Sequence, residues 1–186
     1  MNIIKQHRIV RGMVSYALLW PVGNIVEQTL VERKSFSTID WMRCLKFGLF
    51  GGFFVGPTLY LWMRLAGVMW PKIDVKSSLC KAVTEQVSYD PMLITTFLFG
   101  MSIFEGKSYE DSRAEVRAKF LETYRVGMVF WPIVQTVNFT FIPAKNQVIF
   151  TSFFSMLWSA FLAYMKHLQQ ETSHEDHMLE IHLFSY

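Results

Sequence analysis

The stretch Trp131-Pro132-Ile133-Val134-Gln135-Thr136-Val137-Asn138-Phe139 decides the fold class of this 186-residue chain. It places two amides and a helix-breaking proline inside an apolar run, residues 126–142. At helical spacing Trp131, Gln135 and Asn138 fall at positions i, i+4 and i+7, so both amides lie on one stripe of a helix. We expect this stripe to face protein or water, because polar groups at membrane depth are costly.

The composition indicates that lipid surrounds such a helix. The chain is 52% hydrophobic and 18% charged, with 17 Phe and 6 Trp, so it is more apolar than an average soluble domain. Charged residues are absent from residues 47–63 and 147–165. We therefore predict a single helical membrane domain over residues 1–168 and a polar C-terminal tail over residues 169–186.

The length of each apolar run limits what it can span, since about 20 residues are needed to cross the hydrocarbon core. Residues 45–66 and 147–165 are long enough, and residues 126–142 just reach the lower limit. The short link 143–146 makes the last two runs a tight helical hairpin. Residues 8–30 form a further apolar segment, which Pro21 interrupts.

The run 91–104 is too short to cross alone, and two interpretations fit it. Either Asp90 caps a short buried helix, or a helix begins near Ser78 and kinks at Pro91. We favour the kinked helix. The predicted fold class is an all-α integral membrane bundle of four to five apolar helices, kinked at Pro21, Pro91 and Pro132, with one interfacial amphipathic helix.

The amphipathic helix is assigned to the connector 105–125, which holds five residues of each charge sign. Ser108 and Asp111 frame a start that resembles a capping box, and an apolar stripe recurs every four residues up to Tyr124. Arg113 and Arg117 fall on another face. We interpret this helix as lying on the membrane, with a salt-bridged helix packed on a soluble domain as the alternative.

Two groups of residues are assigned to packing and anchoring. Gly48, Gly52 and Gly56 repeat at four-residue intervals, which in lipid lets helix backbones approach closely. Asp40 and Arg43, ahead of the second span, are predicted to form an interfacial ion pair or to cap its helix.

Other polar residues within the apolar segments are candidates for a polar path between the helices. They are Gln28, Glu85, Gln86, Gln135 and Asn138. Asn24 shares a helix face with Gln28. The alternative is that these groups only hold the bundle together by interhelical hydrogen bonds, each worth about 0.6 to 2 kcal/mol.

Enzyme chemistry receives little support from the sequence. Cys44 and Cys80 are isolated, and no nucleophile stands beside a candidate base. His174 and His177 have a spacing that suits a metal, but a solvated tail is the better interpretation of their short polar segment. We predict no catalysis, no cofactor, no metal and no direct contact with nucleic acid.

The run Phe130-Trp131-Pro132 to Phe139, continued by Phe141-Ile142-Pro143, resembles the signature of the Mpv-seventeen and peroxisomal membrane protein family. The likeness covers about residues 12–166 and extends to several other positions. These are the pair Asp40 and Arg43, Gly56-Pro57 with Trp62, Gln86 with Pro91, and Trp158.

Some positions depart from the family pattern. Asn24 and Glu85 stand where the family has aspartate, and Tyr60 stands where it has histidine. Lys46 and Gln147 replace arginines. Residues 101–124 are most similar to the Mpv-seventeen-like-two branch.

The resemblance implies a multi-span helical protein, usually with four spans, in the inner mitochondrial membrane or less often the peroxisomal membrane. Lys5, Arg8 and Arg11 are compatible with a weak mitochondrial address. Relatives are implicated in solute permeability, in redox and nucleotide homeostasis and in maintenance of mitochondrial DNA. The named branch is associated with mitochondrial ribosome assembly and translation.

Our hypothesis is a mitochondrial inner-membrane, channel-like protein that affects solute permeability and mitochondrial homeostasis. The alternative is a membrane-anchored factor that supports mitochondrial ribosome assembly and translation. The lipid bilayer is the first expected partner. A second copy of the chain and a mitochondrial ribosomal or other soluble protein are the further ones.

Overall fold

The chain forms a bundle of helices in the computed structural model, which describes the backbone of residues 3–159 and the side chains of residues 8–159. Within this range no strand occurs. The helices are α1 (Ile3–Leu30), α2 (Trp41–Phe50), α3 (Gly56–Met69), α4 (Val75–Phe104), α5 (Tyr109–Phe141) and α6 (residues 147–159). The predicted tail 169–186, with His174 and His177, lies outside the described residues.

Three helical stretches are long and apolar enough to cross a membrane by length and composition. They are Arg8–Leu30, Trp41–Met69 and Val75–Phe104. In the second stretch a π-helical turn, Gly51–Val55, joins α2 to α3 without a break. The all-α membrane class is therefore confirmed. The predicted last span, 147–165, is described only as far as residue 159.

Capping groups fix where three helices begin. Asp40 accepts a hydrogen bond from the Arg43 amide at 2.9 Å at the start of α2, and Asp74 does the same for Ser77 at 2.7 Å at the start of α4. Ser108 accepts from the Asp111 amide at 3.1 Å, as the capping-box pattern predicts. Each cap satisfies an amide that the first helical turn leaves without a backbone partner.

Two helices run on through positions where the sequence allowed a break. α4 continues through Pro91, so the interpretation in which Asp90 caps a short helix is wrong and Asp90 lies inside the helix. The amphipathic connector is not a separate interfacial helix, because α5 carries it directly into the apolar run that contains Pro132. Only Gly127 interrupts the good helix formers between the two parts, and a lone glycine costs about 1 kcal/mol.

The bundle has two ends, which we name by their loops. At the 31–40 end lie the connection from α1 to α2 and the linker 105–108. At the 70–74 end lie the connection from α3 to α4, the link 142–146 and the start of α1. The Asn146 amide donates to the Pro143 carbonyl at 2.7 Å, which closes the predicted tight hairpin between α5 and α6.

The bundle is apolar outside and carries polar groups inside. Exposed stripes recur about every four residues along the helices, for example at Val10, Val14, Leu18 and Val22 of α1 and at Val129, Ile133, Val137 and Phe141 of α5. Buried polar side chains include Asn24, Gln28, Glu85, Gln135 and Asn138. This distribution suits a lipid surround, where every buried polar group needs a protein or water partner.

Candidate functional site

A first polar cluster, the Gln28 cluster, joins Gln28, Asn24, Asp40 and Cys44 at the 31–40 end. The Gln28 side-chain amide donates to Asn24 Oδ1 at 2.9 Å and to the Asp40 carbonyl at 3.2 Å. Gln28 Oε1 accepts from the Asp40 amide at 2.8 Å. Both polar atoms of this fully buried side chain are therefore paired. The cluster fastens the end of α1 to the start of α2.

Arg43 lies beside this cluster and binds two carboxylates. Its guanidinium is 2.8 Å from Glu27 Oε1 and also pairs with Glu32, while Asp40 contacts only the Arg43 backbone amide. Of the two predicted roles of Asp40, the structure shows the helix cap and not the ion pair, because the α1–α2 turn brings other acids to the Arg43 guanidinium. Burial opposes ionisation of Glu32, but hydrogen bonds from Lys34 and Arg43 outweigh it and lower the pKa of this carboxyl.

A second polar cluster, the Glu85 cluster, joins four helices. Glu85 accepts a hydrogen bond from Trp62 Nε1 at 2.9 Å and another from the Gln135 amide. Asn138 Nδ2 then donates to Gln135 Oε1 at 2.8 Å and to Thr151 Oγ1 at 3.0 Å. A continuous chain of hydrogen bonds therefore runs from α3 through α4 and α5 to α6. Three of the five predicted path residues, Glu85, Gln135 and Asn138, belong to it.

The other two predicted path residues lie apart from the Glu85 cluster. Gln28 belongs to its own cluster near Cys44, whereas Glu85 contacts Trp62. Eighteen residues of nearly continuous helix separate Cys44 from Trp62, which corresponds to about 27 Å along the bundle. Gln86 is buried, and neither polar atom of its side chain has a hydrogen-bond partner among the described residues. Only its backbone carbonyl takes part in this region, by accepting a hydrogen bond from Tyr124 Oη at 2.9 Å.

A cavity of about 160 Å³, the central chamber, adjoins the Glu85 cluster. It is large enough for several water molecules. Its polar lining includes two carboxyl groups, one amide and several hydroxyl groups: Glu85, Asp90, Gln135, Tyr16, Tyr89, Thr123, Thr151, Ser155 and Ser159. Acidic and hydroxyl groups thus surround a space inside a bundle whose outer face is apolar.

Aromatic rings border the same chamber. Trp20 packs edge-on against Phe97 with 5.4 Å between ring centroids and stacks on Phe50 at 6.1 Å. Trp131 and Trp158, with centroids 5.8 Å apart, form another part of the wall. Trp131 is therefore the apolar member of the stripe that carries Gln135 and Asn138. Aromatic rings therefore form much of the chamber wall.

The three spaced glycines lie on the face of α2 and α3 that packs against α1. A Cβ atom added at Gly52 would come within 2.9 Å of the Ala17 Cβ, and one at Gly56 within 2.9 Å of the Met13 Cα. At Gly48 the nearest atoms are the Ala17 carbonyl and the Pro21 ring, both 3.0 Å away. The helices therefore approach closely, as such a spacing allows. Pro21, Pro91 and Pro132 all lie within helices.

Several chamber residues have no counterpart in the sequence hypothesis. Asp90 lines the chamber, although the sequence identifies it only as a possible helix cap and not as a path residue. Tyr16 Oη lies 3.3 Å from Ser155 Oγ, and Tyr89 Oη lies 2.9 Å from Thr58 Oγ1. One signal was available: Thr151, Ser155 and Ser159 repeat every four residues, so they share one face of α6.

Metal binding receives no support from the described part of the chain. No group of three or more His, Cys, Asp or Glu side chains there has a geometry that would hold an ion. Cys44 is buried in the Gln28 cluster and Cys80 is half-buried, and both are free thiols.

Comparison with known proteins gives one consistent result. Residues 102–163 match the Mpv17 / PMP22 family. The PXMP2/4 family protein 4 of Dictyostelium discoideum is 30% identical over 87% of this chain and 88% of its own. The Mpv17-like protein of Bos taurus is 30% identical over 82% and 75%. The mitochondrial inner membrane protein Mpv17 of Drosophila melanogaster is 26% identical over 81% and 90%. No solved structure matches.

These relatives confirm the predicted family and location, although they do not distinguish the Mpv-seventeen-like-two branch. The matches extend over more than four fifths of the chain. The protein is located in the mitochondrial inner membrane, as the names of the Drosophila melanogaster and Xenopus laevis relatives indicate. The chain belongs to the Mpv17 / PMP22 family.

Proposed function

We propose that this mitochondrial inner-membrane protein is channel-like, and that the central chamber is part of a polar path for small solutes through the bundle. One observation carries the proposal: Glu85, Asp90 and Gln135 line a cavity inside a bundle with an apolar outer face. Ionisable groups at membrane depth are costly, and they are typical of solute and proton pathways. We propose no catalytic role and no cofactor.

The shape of the chamber suits a closed conformation of such a path. Trp20 and Phe97 pack edge-on in the chamber wall, and Phe50 stacks on Trp20 behind it, so this part of the wall is filled by packed rings. Opening would require these rings to move apart, which side chains and helix segments accomplish on the microsecond to millisecond scale. Carboxyl groups in a narrow path favour cations and protons over anions. We therefore propose small cations or protons as the first solutes to test.

The test is single-channel recording of the purified protein in planar bilayers under a KCl gradient. Wild type should give discrete openings with a reversal potential on the cation-selective side. Glu85→Gln should shift this potential toward zero, because it removes a carboxylate from the chamber while keeping an acceptor for Trp62.

Glu27→Gln is the matched control, since it makes the same chemical change beside Arg43 and outside the chamber. The control should conduct like wild type. A folded, inserted wild type without openings would contradict the channel proposal. Equal shifts in both variants would contradict the role of the chamber.

A second candidate function is that of a membrane-anchored factor for the mitochondrial ribosome. Its support is the charged first half of α5, where Arg113 and Arg117 are exposed one turn apart. A helix of 33 residues is about 50 Å long, more than the roughly 30 Å hydrocarbon core, so this half extends beyond the lipid. Exposed basic groups there suit an acidic ribosomal surface.

Charge reversal separates the two candidates. Arg113→Glu with Arg117→Glu should abolish co-sedimentation with mitochondrial ribosomal subunits and leave conductance intact if the second function holds. Retained co-sedimentation, or its absence in wild type, would contradict the anchored factor.

A further inference from the structure

A second and larger cavity, the basic pocket, opens at the 70–74 end of the bundle and has a volume of about 510 Å³. It lies between the start of α1, the end of α3, the start of α4 and the hairpin of α5 and α6. Three cationic side chains line it, namely Arg8, Arg64 and Lys81, and none of its lining residues within the described part of the chain is acidic. Its positive charge is therefore not neutralised within its own wall.

Lys81 is the most unusual of these cations. Its side chain is only 6% exposed, and its ammonium group lies 5.5 Å from the centroid of the Phe139 ring. Among the described residues it has neither a hydrogen bond nor an ion pair. Asp74, seven residues before Lys81, caps α4 by accepting from the Ser77 amide, and Glu85, four residues after it, accepts hydrogen bonds within the Glu85 cluster; neither lines the pocket. The lysine stem is therefore buried while its ammonium group faces the pocket, where an anionic ligand could supply the missing partner.

The surroundings extend the positive charge. Basic side chains outnumber acidic ones by seven to one among the described side chains around the pocket. These surroundings comprise the start of α1, residues 70–81, the 142–146 link and Arg64. The basic residues are Arg8, Arg11, Arg64, Lys72, Lys76, Lys81 and Lys145, and the acidic one is Asp74. This excess creates a field that concentrates anions near the pocket.

The rim of the pocket is strongly apolar. Ile73 is 81% exposed and Phe141 is 73% exposed, and both line the opening. Thr140 and Tyr60 add hydroxyl groups to the wall, and the Thr140 hydroxyl has no hydrogen-bond partner among the described residues. A small soluble anion would use the cations and leave the exposed apolar rim in water. An amphipathic anion would use both.

We propose that the basic pocket binds the phosphate group of an anionic phospholipid, with the acyl chains lying against Ile73 and Phe141. Arg8 and Arg64 offer guanidinium donors that suit phosphate oxygens, and Lys81 supplies a third positive charge that faces the pocket. The pocket lies at the end of the membrane-spanning helices, where headgroups are found. This site does not depend on whether the central chamber conducts.

The test is native mass spectrometry of the purified full-length protein, titrated with phosphatidylglycerol or phosphatidylcholine in neutral detergent. Wild type should retain phosphatidylglycerol saturably and much more tightly than phosphatidylcholine. The double variant Arg64→Gln, Lys81→Gln should raise the apparent Kd for phosphatidylglycerol by at least about tenfold, because it removes two charge-assisted contacts.

The matched control is Arg113→Gln, Arg117→Gln, which removes the same net charge from exposed positions on α5. It should bind phosphatidylglycerol within about twofold of wild type, as expected for charges outside the site. Arg64→Gln alone leaves Lys81 unchanged, so it still tests the site if the double variant does not fold. It should weaken phosphatidylglycerol binding by about threefold or more.

Three outcomes would overturn the proposal. The first is equal affinity for the two lipids, and the second is equal weakening by the pocket and control variants. The third is displacement of phosphatidylglycerol by inorganic phosphate at low millimolar concentration, seen with wild type but not with the pocket variant. This result would identify the pocket as a site for free phosphate. Failure of phosphate to displace the lipid supports the phospholipid.

Discussion

At the 31–40 end of the bundle charged side chains bind each other, whereas at the 70–74 end three cations line a pocket without an acidic partner. Arg43 joins Glu27 and Glu32 at the first end. Arg64 and Lys81 lie together in the basic pocket at the second. Paired groups stabilise the fold, while unpaired groups lower its stability and are typical of ligand sites. The difference separates residues that hold the bundle from residues available to a ligand.

The polar clusters follow the same division. Both polar atoms of Gln28 are paired, and Gln28 lines neither the central chamber nor the basic pocket. Gln135 and Glu85 are also hydrogen-bonded, but they face the central chamber together with Asp90. The sequence treats these amides alike, since all are polar groups on apolar helices. Their surroundings distinguish polar groups that only join helices by hydrogen bonds from polar groups that also line a cavity.

The largest effect is expected from Gln28→Leu. The change removes three hydrogen bonds, one to Asn24 and two to the Asp40 backbone, so the free energy of unfolding should fall by about 3 kcal/mol. Circular dichroism during unfolding in mixed micelles of dodecyl maltoside and sodium dodecyl sulfate measures it. Thr29→Val is the control, because the Thr29 hydroxyl bonds only to carbonyls of its own helix. Equal stability of wild type and Gln28→Leu would refute the structural role.

The next largest effect compares one substitution at the two ends. Arg43→Gln leaves Glu27 without its cation and Glu32 with Lys34 alone, so we expect a loss of about 2 kcal/mol. Arg64→Gln removes a charge that has no ion pair and should change stability by less than about 0.5 kcal/mol in neutral detergent. The same unfolding assay measures both. Similar losses would show that the two ends do not differ in how they stabilise the bundle.

A smaller effect is expected from Gln135→Leu. It removes one donor to Glu85, and we expect a loss of about 1 kcal/mol in the unfolding assay. The loss is less than for Gln28→Leu because water in the chamber can solvate the carboxyl group that the amide leaves. If Gln135→Leu proved more destabilising than Gln28→Leu, the chamber would be a tightly packed core and not a solvated space.

Periodicity and composition were sufficient to predict the helices and the stripe of Gln135 and Asn138, because a 3.6-residue repeat is local information. The hairpin at 143–146 followed from a proline and a short link. The chamber could not be predicted, since four helices build its polar chain and no segment contains it. Asp90 illustrates the limit: an aspartate before a proline suits a helix start as well as a helix interior.

The partners of Arg43 show a second limit. Sequence spacing pointed to Asp40, three residues away, but the chain turn at 31–40 brings Glu27 and Glu32 to the guanidinium, and the Asp40 carboxylate is used as a cap. Whether the Asp40 carboxylate binds a backbone amide or the Arg43 guanidinium depends on the tertiary structure, which sequence spacing does not contain. The basic pocket was equally hidden, because Arg8, Arg64 and Lys81 come from three different helices.

The smallest effect concerns pH at the surface of the 31–40 end, where Glu115 of α5 pairs with Lys107 at 2.7 Å and Lys119 at 2.5 Å. Partial burial opposes ionisation of Glu115, but the hydrogen bonds from the two lysines prevail and lower its pKa from 4.5 to about 2. A carboxyl group with a lowered folded-state pKa stabilises the fold above its unfolded pKa and loses this contribution as pH falls toward the folded value. Because the lysines are about half exposed, we expect less than about 1 kcal/mol. Between pH 4.5 and pH 2, the free energy of unfolding of wild type should therefore fall by up to about 1 kcal/mol more than that of Glu115→Gln in the unfolding assay. Parallel pH profiles of the two proteins would contradict the pairing.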